Sequence, residues 1–162
     1  MGAGKSTVGR LAASELGLPL VDLDARIERE AGAAIATIFA EQGEDAFRAR
    51  ESEALSALEA EPPSVIACGG GIVVRPENRA ELKRLGTVVY LEVTAGEAVA
   101  RVGDASTRPL LAGPSGVLAA TSLLQAREGL YRAVADITVS TSGRTAPEVA
   151  ELIVTELSKE RS

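Results

Sequence analysis

The sequence predicts an α/β fold: a parallel sheet sandwiched between two layers of helices. Short apolar runs bounded by Gly, Pro or carboxylates alternate along the chain with segments of helical spacing. One of these runs, Thr87-Val88-Val89-Tyr90-Leu91-Glu92-Val93, is nearly continuous in apolar character, as a strand covered on both faces must be. The chain also opens on a glycine-rich turn that runs straight into an amphipathic segment, Val8-Gly9-Arg10-Leu11-Ala12-Ala13. With 162 residues, the length of a typical domain, residues 1–162 are expected to form a single unit.

The opening turn reads Met1-Gly2-Ala3-Gly4-Lys5-Ser6-Thr7. In the pattern GxxxxGK[ST], glycines let the backbone curl until its N–H groups face a phosphate, and the Lys and hydroxyl then meet the outer phosphates and Mg²⁺. The following helix adds the positive end of its dipole. The stretch therefore predicts a nucleoside triphosphate site. The first Gly of the pattern, and the strand that normally leads into it, would precede Met1. Without that strand two central sheet edges would be exposed, so this polypeptide is expected to fold and turn over less well than one extended upstream.

Composition narrows the partners. A net charge of −6 gives no global basic field for nucleic acid, so anions must be held by local arginines, helix ends or Mg²⁺. Cys68 is the only cysteine, which excludes a disulfide framework and suits a reducing cytoplasm. Histidine is absent, so histidine catalysis is excluded. No apolar run reaches about 18 residues. A cytoplasmic protein with no membrane partner is expected.

In chain order, Val8, Leu11, Ala12 and Leu16 follow helical spacing, and Gly17 with Pro19 stops that helix. Leu18–Asp24 reads as a buried strand ending in two carboxylates. On a strand Asp22 and Asp24 share a face, whereas the alternative has Asp24 capping a helix from Ala25. Ala25–Ala31 and Ile35–Gln42 read as short helices, and Gly43 opens a longer one with Phe47, Ala54, Leu55 and Leu58 on its apolar stripe. Spacing alone favours a solvated Arg48. Ser64–Cys68 is a second strand, entering Gly69-Gly70-Gly71; such a triplet serves close backbone approach or positive φ, or is a flexible loop. Pro76–Leu85 reads as a helix ended by Gly86. After the Thr87–Val93 strand and a helical turn at Ala95–Arg101, residues 103–117 are rich in Gly and Pro, long enough for a lid, and centred on Arg108. Val117–Ala133 is a helix bearing Arg127, Tyr131 and Arg132. Asp136–Ser140 is the last strand, and Pro147 starts a closing helix.

Taken together, MGAGKSTVGR, LVDLD, IFAEQGEDAFRARE, ACGGGIV, VVYLEV, TRPLL and LYRAVAD resemble the shikimate kinase family, over nearly the whole chain. The resemblance implies a P-loop, nucleoside monophosphate kinase-like three-layer fold. It also implies ATP-dependent phosphorylation of the 3-hydroxyl of shikimate, in aromatic amino acid biosynthesis; a monomer is expected. By the same resemblance Gly2, Ala3, Gly4, Lys5, Ser6 and Thr7 hold the ATP phosphates. Ser6 and Asp22 serve Mg²⁺, and Asp24 contacts the shikimate hydroxyls and orients or deprotonates the attacking one. Arg48 and Arg132 grip the shikimate carboxylate. Gly69, Gly70 and Gly71 approach the same substrate, with Phe39 and Phe47 lining the pocket or belonging to the core. Arg108 reaches the phosphates, Arg101 stacks on adenine, and Arg144 lies in the adenine loop. Substrate-binding helices would span about 24–59. Two readings compete: a kinase of the same architecture acting on gluconate or another small acid, and a nucleotide-binding module without catalysis.

Overall fold

Glycine and proline set the boundaries of most elements. The computed structural model describes residues 4–94, 96–98 and 114–160. Gly4, at φ 76°, sits in the left-handed region that side chains disfavour and turns the chain into α1 (Lys5–Leu16). A three-residue strand β1 (Leu20–Asp22) follows, then α2 (Leu23–Ala31). Next comes α3 (Ile35–Ala57), broken at Gly43, where φ 84° and ψ 172° separate two helical pieces as the sequence anticipates. Then come β2 (Val65–Ala67), a 3₁₀ turn at Gly70–Val74, and α4 (Pro76–Leu85), which starts on proline and ends at Gly86. β3 (Val89–Glu92), α5 (Pro114–Val134), β4 (Ile137–Ser140) and α6 (Ala146–Glu160) complete the described chain.

The strands pair in parallel. β1 lies beside β2 with Leu20 opposite Val65 and Asp22 opposite Ala67, and β3 lies beside β4 with Val89 opposite Ile137 and Glu92 opposite Ser140. Among the described residues the two pairs are not hydrogen-bonded to each other, so every strand has a single partner. Side chains alternate across the pleat. Val89, Leu91, Ile137 and Val139 join Val8 and Ala12 of α1 and Val149, Ala150 and Ile153 of α6 in one core. Val21, Ile66 and Val88 turn the other way, onto a core built from Leu23, Ile27, Ile38, Phe47, Leu55 and Ile72. Two cores on opposite sides of parallel strands make three layers. Helix α1 also reaches the first strand pair, because Gly9 has no side chain and lets Leu20, Val65 and Ala67 come against it. No helix among the described residues is long and apolar enough to cross a membrane.

The structure corrects one expectation here. Leu23 already belongs to α2, so Asp22 and Asp24 do not share a strand face. Asp22 is instead the N-cap: its carboxylate accepts the Ala25 N–H at 3.2 Å, satisfying a donor the first helical turn leaves unpaired. Asp24 stands one step inside that turn, where the helix dipole favours a carboxylate.

Candidate functional site

The carboxyl ends of β1 and β2 meet the N-terminus of α1, and the predicted chemistry gathers there. Gly4 offers α1 no side-chain cap, so the first-turn N–H groups remain open to an anion. Lys5 Nζ lies 3.5 Å from Asp24 Oδ2, both side chains half-buried. Ser6 Oγ donates to Asp22 Oδ2 at 2.9 Å. Burial pushes the Asp22 carboxyl up, but the Ala25 N–H, the Ser6 hydroxyl and the Lys5 charge outweigh it and hold the group below the usual carboxylate range. An ionised carboxylate beside a hydroxyl is the hard-oxygen pair that Mg²⁺ accepts, with phosphate and water oxygens completing its shell. The residues present therefore fit that ion.

The glycine triplet forms the opposite wall. None of the three has a positive φ, so close approach is what requires glycine here. The Asp24 carboxylate lies 3.0 Å from where a Cβ on Gly69 would stand, and the Arg48 guanidinium fills the space a Cβ on Gly71 would need. The Gly70 carbonyl accepts a hydrogen bond from the Tyr131 hydroxyl at 2.8 Å.

Arg48 is not solvated, as spacing had favoured; it is only 8% exposed. Its Nη1 donates to Glu51 Oε2 at 2.8 Å, and its Nη2 meets the exposed Glu44 at 3.2 Å. Glu51 sits at helical spacing three residues on, and burial raises its pKa despite the Arg48 bond and charge. Its other oxygen, Oε1, is buried with no hydrogen-bond partner. Phe47 is core, 4.8 Å ring to ring from the half-buried Phe39, and the Arg48 guanidinium lies 5.2 Å from the Phe47 ring centre.

Arg132 is not part of this group. It is exposed and bonds Glu92 and Glu128. Arg127 is the α5 arginine whose charge acts on Tyr131 and Glu51, the side chains beside the triplet. Four residues on a helix differ by only about 40° in direction and five by about 140°, so Arg127 shares the Tyr131 side and Arg132 does not. The spacing from Tyr131 was the signal, but it becomes usable only once Tyr131 is known to face Gly70. Arg144 donates to the Ser140 carbonyl at 3.0 Å, in the turn after β4. Gly2, Ala3, Arg101 and Arg108 lie outside the described residues, as does most of the stretch read as a lid.

A sequence profile of the shikimate kinase family matches residues 1–158. The shikimate kinase of Thermobifida fusca is 49% identical over 157 residues, which cover 96% of this chain and 90% of that protein. The Rhodococcus jostii enzyme of the same name is 42% identical, with 98% and 94% covered. Among solved structures, shikimate kinase from Acinetobacter baumannii in complex with shikimate superposes with a TM-score of 0.94 at 39% identity, covering 99% of this chain and 89% of that one. The Aquifex aeolicus shikimate kinase gives 0.86 at 32%, covering 99% and 94%. Parallel strands between helix layers, an uncapped Gly-Lys-Ser turn and family matches along nearly the whole length agree: this chain belongs to the shikimate kinase family.

Proposed function

We infer that the chain carries out its family's reaction, moving the γ-phosphoryl group of ATP to the 3-hydroxyl of shikimate in aromatic amino acid biosynthesis. The observation that supports this most is the position of Asp24, between the Lys5 ammonium and the glycine triplet that also contacts Arg48. Phosphoryl transfer asks mainly for alignment and for positive charge where negative charge develops. Gly2, Ala3, Gly4 and Thr7 cradle the phosphates through the backbone, and Lys5 neutralises their outer oxygens. Asp24 orients the attacking hydroxyl and takes up its proton, a role worth about 10²–10⁴-fold.

Arg48 and Arg127 hold the ring carboxylate, each able to donate two parallel hydrogen bonds, with Arg127 replacing Arg132 in this assignment. The triplet supplies a wall close enough for contact through backbone. Phe39 borders the pocket and Phe47 supports it from the core. Ser6 and Asp22 would hold Mg²⁺, which when bound supplies charge neutralisation on the β- and γ-phosphate oxygens. Arg108 is assigned to the transferring phosphate, Arg101 to the adenine face, and Arg144 to the adenine loop. We assign the protein to the cytoplasm as a monomer, with no nucleic-acid or membrane partner.

The test is ADP release with shikimate, gluconate or a nucleoside monophosphate as acceptor. Turnover with shikimate, reduced at least about 10²-fold in Asp24→Asn, supports the assignment. Equal turnover with gluconate, or an unaffected variant, overturns it.

A further inference from the structure

We propose that Tyr131 is a positioning residue for the acceptor side of the site, linking helix α5 to the glycine triplet through its single hydroxyl. The inference rests on the shikimate reading above and assigns a function to a side chain outside the phosphate and acceptor contacts. The Tyr131 hydroxyl donates to the Gly70 carbonyl at 2.8 Å, and the charge of Arg127, one helical turn back on α5, acts on the same side chain. A phenol has one proton to give and lone pairs to receive with. Its proton goes to Gly70, so its lone pairs are left to face the positive charge of Arg127.

The ring has little freedom to offer another arrangement. It stacks on Tyr90 of β3 at 5.0 Å between centres and 22° between planes. Strand β3 thereby fixes the ring plane, the ring aims the hydroxyl, and the hydroxyl orients a backbone carbonyl of the triplet. Arg48 and Glu51 lie near enough for their charges to act on the same hydroxyl, which places the link beside the carboxylate grip. Removing it leaves the Gly70 carbonyl without its donor and takes a polar oxygen away from Arg127, while the apolar stack stays in place.

The experiment is Tyr131→Phe in the full chain, with Tyr90→Phe as the control that touches the stack and not the link. Loss of one hydrogen bond should raise KM for shikimate about three- to tenfold. KM for ATP should stay within about twofold, kcat should change little, and Tyr90→Phe should match wild type. Calorimetric titration of shikimate into Tyr131→Phe should show the same loss of affinity, and a Tyr131→Phe, Arg127→Lys double variant should lose less than the sum of the two singles. An unchanged shikimate KM in Tyr131→Phe, or an equal loss for both substrates, overturns the proposal while leaving the kinase assignment standing. If wild-type protein neither binds nor phosphorylates shikimate, the two fall together.

Discussion

The Arg48 guanidinium occupies the space in which any side chain on Gly71 would begin. Gly71→Ala must therefore push Arg48 off its bond to Glu51 or displace the turn. The expected result is a rise of about tenfold or more in KM for shikimate, with a smaller change in KM for ATP, read from initial rates. Unchanged kinetics would mean that Arg48 has another place to go.

The two arginines of α5 should separate cleanly. Arg127→Ala is expected to lower kcat/KM for shikimate by about 10²-fold, the scale of removing one partner of a desolvated charge pair. Arg132→Ala removes only exposed pairs with Glu92 and Glu128 and should stay within about threefold of wild type. The reverse ranking would return the carboxylate grip to Arg132.

Stability should depend on the inner partner of Arg48 and not on the outer one. Glu51 is 1% exposed, and Glu51→Ala leaves a buried guanidinium with only the exposed Glu44 beside it. A loss of about 3 kcal/mol is expected from urea unfolding. Glu44→Ala should cost less than about 1 kcal/mol.

Asp22 gives a pH signature. Its folded-state pKa is lowered, so the folded protein binds fewer protons at this site than the unfolded chain. The associated stability is present above the unfolded value of 3.8 and is lost as pH falls through the lower folded one. Asp22→Asn should flatten that part of the acid unfolding curve. The same variant should raise the Mg²⁺ concentration needed for half-maximal rate. An acid limb identical to wild type would show that other carboxylates set it.

Much of this architecture was legible because its signals are local. Proline at position 76 and glycines at 17, 43 and 86 mark the helix boundaries where the structure has them. The phosphate turn and the triplet were readable as backbone requirements. Signals that depend on which side of an element faces inward were not. Arg48 looked solvated because its stabilising partner, Glu51, lies on the same helix, and nothing in the spacing says that this face is covered. Asp24 looked like a strand residue because a strand and a helix N-terminus both tolerate Leu-Asp. Arg127 and Arg132 differ only in direction, which the contact between Tyr131 and Gly70 decides.

Behind this site sits the chain's one thiol. Burial first, then the negative charges of Glu51 and Asp24, push Cys68 up to about 12, so almost none of it is thiolate at neutral pH. The half-buried thiol should therefore react slowly with alkylating reagents at neutral pH and faster as the pH rises. That slow reaction reports on the floor beneath the triplet, and a ligand that seats there should slow it further.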